Sequence, residues 1–166
     1  MSLENDDTKT FNAGGIVEVR RLRRTDFTAV MRLLADAGSQ VPSPDRRTLR
    51  RFRHIAADLG SDVYICLVDG TLAGLLHLTY ARQLTTGPRG RIEALLVGTT
   101  FRRRGIGRAL LDLALRRAAK RSCRCIDCAT PPDGAGAIRL LARAGFACAG
   151  ATYRCPLDVD DTSPED

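Results

Sequence analysis

The chain has 166 residues, 44% hydrophobic and 27% charged, the balance of one soluble globular domain long enough to bury a core of its own. No apolar run reaches the roughly 20 residues of a membrane span, and the polar, acidic N-terminus lacks the basic start and apolar stretch of a secretion signal, so a cytoplasmic protein is expected. The formal charge of +7 rests almost wholly on arginine, since Lys9 and Lys120 are the only lysines among 26 basic residues; such a surface attracts polyanions, from nucleic acid to phosphate-bearing small molecules.

Residues 1–15 are polar, without periodicity, and are expected to form a flexible leader. Ile16-Val17-Glu18-Val19-Arg20 alternates as a first strand. Thr25 or Asp26 can cap a helix whose apolar residues Phe27, Val30, Leu33 and Leu34 recur at helical spacing, with Gly38 as its stop. Beyond the Val41-Pro42-Ser43-Pro44 loop, a second helix opens at Ser43 or Asp45 and runs through Leu49, Phe52, Ile55, Ala56 and Leu59 to Gly60. Its Arg46, Arg47, Arg50, Arg51 and Arg53 read first as a solvated face. The second reading is a guide for an acidic acceptor or for nucleic-acid phosphates, without the aromatic interleaving of a base-stacking surface.

Val63–Val68 and Leu72–Tyr80 read as strands joined by Asp69-Gly70, a strong hairpin signal. Gln83 to Gly90 reads as a polar loop, and Arg91-Ile92-Glu93-Ala94-Leu95-Leu96-Val97 as a mostly buried strand. From Gly107 to Lys120 the period turns helical, with Gly107, Leu110, Leu111, Ala114, Leu115 and Ala118 inward. Arg108, Asp112, Arg116 and Lys120 line a polar stripe in which Asp112 and Arg116 are spaced to pair. Cys123 to Ala129 reads as a strand, Pro131-Pro132-Asp133-Gly134 as a loop, and a short helix runs to Ala144 with Gly145 behind it. Ala147 to Leu157 supplies closing strands, and Asp158 to Asp166 an acidic, disordered tail. The order β-α-α-β-β-β-α-β-α-β-β is mixed α/β, with a single domain over 16–157.

Six cysteines raise the question of a metal or disulfides. Cys125 and Cys128 fall on opposite faces of a strand, and His54 and His77 are isolated, so no ligand set of zinc spacing forms. Reduced, metal-free thiols are expected.

Between strand and helix lies Arg102-Arg103-Arg104-Gly105-Ile106-Gly107-Arg108. Glycines let the backbone approach a ligand, N–H groups at the helix start point outward, and the dipole favours an anion. The loop lacks the Gly-Lys-Ser/Thr ending of a P-loop and the third glycine of a dinucleotide fingerprint. With Leu95-Leu96-Val97 ahead of it, Arg102-x-x-Gly105-x-Gly107 resembles the acetyl-CoA motif of the GNAT superfamily of N-acetyltransferases, Gln/Arg-x-x-Gly-x-Gly/Ala. Downstream, Ala137-Ile138-Arg139-Leu140-Leu141-Ala142-Arg143-Ala144-Gly145-Phe146 resembles that family's next helix, which ends in Gly-Phe. The resemblance covers roughly Ile16 to Leu157.

It implies a GNAT fold, a mixed central sheet of six to seven strands flanked by about four helices, with acetyl-CoA as co-substrate and no metal. Backbone groups of Leu95, Leu96 and Val97 would hold the pantetheine arm and thioester carbonyl. Arg102, Arg103, Arg104, Gly105, Ile106, Gly107 and Arg108 would hold the pyrophosphate. An attacking ammonium must lose a proton, and Glu93, four residues before Val97 and so on the face of Leu95 and Val97, is the candidate base, an ion pair being its plainer role. His77 is the reserve. Where the family commonly has an asparagine and a tyrosine, this chain has Gly134 and Leu141. Tyr153 or Tyr80 is therefore the candidate acid for the departing thiolate, itself a tolerable leaving group at a thiol pKa of ~8.5.

The implied activity is transfer of acetyl to a primary amine of a small molecule or peptide by direct attack on the thioester. Leu78 to Val97 resembles small-molecule branches of the family, such as those acting on glucosamine phosphate or aminoglycosides. Two other classes stand beside it: a CoA-binding module or sensor with little turnover, favoured by Leu141, and a basic nucleic-acid-binding domain, favoured by charge alone. No membrane partner is expected, and a homodimer is left open.

Overall fold

A computed structural model describes residues 17–38, 41, 43–130 and 134–150. The leader, most of the expected closing strands with Tyr153, and the acidic tail lie outside the described residues.

Strand β1 (Val17–Arg21) leads through a single 3-10 turn at Arg24–Asp26 into α1 (Phe27–Asp36) and then α2 (Arg46–Ala57). Strands β2 (Ser61–Val68), β3 (Thr71–Gln83) and β4 (Gly87–Val97) follow, then α3 (Ile106–Lys120), β5 (Cys125–Cys128) and α4 (Ala135–Arg143). The sheet runs β1-β2-β3-β4-β5, antiparallel except for the parallel β4–β5 pair. Mixed α/β architecture with four helices is as expected, but the described residues hold five strands rather than six or seven. Ala147 to Gly150, where the closing strands were expected to begin, carries none.

Local chemistry accounts for most boundaries. Asp45, not Ser43, caps α2 by accepting from the Thr48 N–H at 2.8 Å. That helix ends at Ala57, sooner than its apolar spacing suggests, and leaves Leu59 82% exposed. Asp26 accepts from the Arg23 N–H at 2.7 Å and takes a two-pronged bond from Arg20 at 2.8 Å, which ties β1 to the entry of α1. The segment expected to loop from Gln83 to Gly90 instead continues the hairpin. β3 and β4 stay paired out to Gln83 and Gly87, and Gly87, at φ +79°, closes the turn. A ladder of backbone hydrogen bonds there overrides polar side chains that read as loop.

Each face of the sheet carries its own core. Val17, Val19, Tyr64, Cys66, Leu76, Leu78 and Ile92 pack under α3 and Leu141 of α4. Val63, Ile65 and Leu75 pack under Val30, Leu33 and Phe52 of α1 and α2. In α3 the inward residues are Ile106, Leu110, Leu111, Leu113, Ala114 and Ala118; Leu113 is buried where the spacing favoured Leu115. The helix lies tight on β3 at Gly74, where a Cβ would stand 3.0 Å from Leu110 Cδ1 and 3.1 Å from Ile106 Cγ2.

At the C-terminal end of α3 sits Asp62, fully buried. It pairs with Arg21, with Arg117 Nε at 3.2 Å and with Arg121 Nη2 at 3.3 Å, and accepts from the Tyr80 hydroxyl at 2.8 Å. Arg121 also stacks over the Tyr80 ring, 4.2 Å from its centroid.

Candidate active site

Leu95 pairs with Leu76 and Ala94 with His77, but Leu78 pairs with Ile92, so Glu93 is an extra residue on β4. This is a β-bulge, which bends a strand and resets its alternation. Ile92, Leu95 and Val97 therefore share the α3 face, while Ala94 and Leu96 turn to the α1–α2 face. Glu93 sides with the second group, where Thr79 Oγ1 donates to its Oε1 at 2.8 Å and Arg91 Nε lies 3.4 Å away. The expectation that Glu93 faces the same way as Leu95 and Val97 is thus corrected: counting by twos fails across a bulge. Its neighbour on that face is half-buried His77, whose pKa burial pushes down while the charges of Glu93 and Asp58 pull it back up.

The bulge also marks where β4 parts from β5. Their pairing runs from Arg89–Cys125 to Ile92–Cys128 and stops. From Glu93 to Val97, β4 has no partner on that side among the described residues. Because the Gly98 N–H bonds to Ala73 O of β3 at 2.9 Å, strand alternation turns the N–H and C=O of Leu95 and Val97 toward the open edge. Leu96 between them turns its own toward β3.

That edge runs straight into the loop. A 3-10 turn at Thr99–Phe101 is capped by Asp36 from the end of α1, which accepts from the Thr99 hydroxyl and the Thr99 N–H, both at 2.6 Å. The two bonds hold the Asp36 carboxyl below the usual carboxylate range, with the Arg102 charge adding to them. Arg102 Nε donates to Val97 O at 3.3 Å, Arg103 takes up φ +61°, and Gly105 reaches φ +82° as the N-cap of α3. The first helical bond is from Ala109 N to Gly105 O. Among the described residues the N–H groups of Arg103, Arg104, Gly105, Ile106, Gly107 and Arg108 have no acceptor, and no side chain caps them.

Several of the loop's arginines have contacts of their own. Arg104 lies over the Phe101 ring at 5.6 Å. Arg108 binds Asp112 at 2.9 Å and Arg143 O at 3.2 Å, so Asp112 pairs one turn back rather than forward with Arg116. Gly107 packs against α4, where a Cβ would meet Leu140 Cδ2 at 3.4 Å.

Other candidates fall elsewhere. Tyr80 is held by Asp62, and six strand residues, ~20 Å, separate it from Gly74, the partner of Val97. Leu141 is 8% exposed in the α3-side core, so no polar group stands at that position. Cys128 packs into that core and Cys125 is exposed, on opposite faces as expected. Burial pushes the Cys66 thiol up to about 11. Among the described residues no three His, Cys, Asp or Glu side chains stand close enough to hold a metal. Sequence reasoning missed Asp36 and Thr79, whose roles depend on partners 63 and 14 residues away.

A family model described as acetyltransferase (GNAT) family matches residues 17–146. No curated protein matches the chain. Among solved structures, a transcriptional regulator from Bacillus halodurans C-125 superposes with a TM-score of 0.77 at 24% identity, over 85% of this chain and 99% of that one. A ribosomal-protein-alanine N-acetyltransferase from Brucella melitensis biovar Abortus 2308 superposes at 0.70 with 22% identity, over 85% and 99%. The aminoglycoside N-acetyltransferase AAC(6')-Iy, in complex with CoA, superposes at 0.74 with 18% identity, over 90% and 99%. With a parallel β4–β5 pair that parts at a bulge, a glycine-arginine loop opening α3, and a family model spanning both, the chain belongs to the GNAT family of acetyltransferases, enzymes of acetyl-CoA-dependent acyl transfer.

Proposed function

We propose that this protein transfers the acetyl group of acetyl-CoA to a primary amine of a small molecule or peptide, by direct attack of the amine on the thioester, in the cytoplasm where acetyl-CoA is made available. The observation that carries this reading is the continuity of two surfaces: the β4 edge at Leu95 and Val97, which no strand covers among the described residues and of which Arg102 takes the Val97 carbonyl, ends at the N–H groups of Arg103 to Arg108, which have no acceptor among those residues. An extended, amide-bearing arm pairs with the first as an added strand would. A pyrophosphate suits the second, and Arg102, Arg103 and Arg104 supply charge beside it. The fit is chemical as well as geometric, because cations at a helix N-terminus oppose the dipole unless an anion joins them.

Bound acetyl-CoA supplies the activated acyl group, and the remaining tasks fall to the chain. A backbone N–H at Leu95 or Val97 would hold the thioester carbonyl and the negative charge that develops on its oxygen, an effect typically of ~3–4 kcal/mol. The α1–α2 face takes the amine, with Glu93 accepting its proton directly or through water. Neutral His77 beside it is a second acceptor on the same face. Tyr153 remains the candidate acid for the thiolate.

Two related folds act, by their names, on an alanine of a ribosomal protein and on aminoglycosides. Either kind of amine is compatible with an open face. The experiment is turnover of acetyl-CoA against a panel of aminoglycosides, amino sugars and peptide N-termini, with CoA affinity measured alongside. Turnover of any amine supports the reading, and absence of CoA binding overturns it. Tight CoA binding without turnover favours the second reading, a CoA-binding module. Leu141 favours that alternative, because it puts a methyl-lined core contact where a hydroxyl would assist the leaving thiolate.

A further inference from the structure

On the far side of α2 from the core, Arg24 of the 3-10 turn and Arg46, Leu49, Arg50, Arg53, His54 and Ala57 of α2 line an open groove of about 620 Å³. No acidic residue lines it. Arg24, Arg46 and Arg53 are exposed and have no ion-pair partner among the described residues. Like charges at helical spacing repel, and cations in the first turn of α2 oppose its dipole, so nothing in the stability of the helix calls for this arrangement. The groove shares no residue with β4 or with the loop that opens α3.

We propose that this groove docks an acidic segment of a partner protein, in extended conformation. Arg46, Arg50 and Arg53 lie at i, i+4 and i+7 of one helix face, ~6 Å and ~4.5 Å apart along the axis. Same-face side chains of an extended peptide recur every ~6.7 Å, within the reach of arginine forks that grip carboxylates two bonds at a time. Leu49 and Ala57 give the groove an apolar floor for the methylenes of aspartate and glutamate. Nucleic acid is the weaker match: no Phe, Tyr or Trp lines the groove to stack successive bases. The docking needs no residue of the β4 edge to which acetyl transfer is assigned above.

The test is fluorescence anisotropy with labelled octaglutamate, on the full chain and with CoA saturating, so that the α3 loop does not compete for the probe. Binding should weaken with salt. Arg46→Glu with Arg53→Glu should lose at least about tenfold in affinity, or ~1.4 kcal/mol, with the circular dichroism of the chain unchanged. A control of equal charge, Arg51→Glu with Arg116→Glu, lies outside the groove and should lose less than about threefold. Equal losses in the two variants would reduce the effect to net charge and overturn the assignment. So would an absence of octaglutamate binding at low salt, or tighter binding of oligouridylate that the groove variant abolishes.

Discussion

At the C-terminal end of α3, Arg117 and Arg121 converge with Arg21 on the buried carboxylate of Asp62. At its N-terminal end, Arg102, Arg103 and Arg104 stand in the loop whose N–H groups have no acceptor, and form no ion pair, among the described residues. The helix dipole sharpens the contrast. It favours cations at the first end and disfavours them at the second. Arginine beside a carboxylate at a C-terminus completes itself within the fold. Arginine beside uncapped donors at an N-terminus has no such carboxylate and is suited to an anion from outside. Charge composition alone, the same residue at both ends, does not separate the arginines that serve the fold at Asp62 from the candidate anion-binding ones at Arg102 to Arg104; a buried neighbouring carboxylate does.

The most severe way to break this contrast is Asp62→Ala. It leaves three arginines facing one another and the Tyr80 hydroxyl without its acceptor, and should cost about 3–5 kcal/mol in denaturant unfolding. CoA affinity of the folded protein should be retained, since Asp62 lies at the other end of the helix. A loss under about 1 kcal/mol would mean that the C-terminal cluster is ornament and the comparison fails.

Next in size is Glu93→Gln, which keeps the Thr79 bond and removes basicity. We expect kcat to fall roughly 10²-fold, ~2.7 kcal/mol, with CoA affinity unchanged. The loss should shrink at high pH, where the amine deprotonates unaided. Near-normal kcat at neutral pH would hand the role to His77 or to solvent.

Gly105→Glu attacks the N-terminal end directly by placing a carboxylate among the N–H donors. CoA affinity should fall at least about tenfold, ~1.4 kcal/mol. Gly105→Ala is the companion, because any side chain is strained at φ +82°. If alanine weakens CoA as much as glutamate does, the effect is loop geometry and not charge.

The smallest effect belongs to Asp36, which fixes the turn leading into the loop. Its pKa is lowered by the Thr99 bonds, so the clasp is complete above the ordinary carboxylate pKa of ~3.9 and is lost as pH falls through the lower folded value. CoA affinity should therefore be insensitive to this group from neutral pH down to about pH 5 and weaken in stronger acid. Asp36→Ala should raise KM for acetyl-CoA about threefold at neutral pH with kcat kept.

What the sequence made legible was local. The cap of α2, narrowed to Ser43 or Asp45, and the apolar spacing of α1 and most of α3 act over one to four residues and were legible, with Leu113 in place of Leu115 as the exception in α3. The face of Glu93 was not, because a bulge is decided by which residues of β3 stand opposite, and alternation within β4 carries no trace of it. Hairpin residues from Gln83 to Gly90 read as loop for a similar reason: pairing across the turn outweighs their polarity. Asp36 and Thr99 meet across 63 residues, and Asp62 meets Arg121 across 59. Contacts of that range are written in the topology and not in any window of the chain.

The bulge has a consequence for descent. Remove Glu93, and Ile92 is followed directly by Ala94, so every remaining residue of β4 keeps the face it already occupies. Loss of Ala94 would do the same, since both residues of the bulge lie on the α1–α2 face, whereas loss of a strand residue outside this pair would reverse one half of the strand and turn its apolar side chains outward. The Glu93–Ala94 pair is thus the one place in β4 where a single codon could be added to, or deleted from, an ordinary strand without rewriting either core. An insertion at this place that brought in Glu93 would bring the carboxylate and the bulge together, in one mutational event.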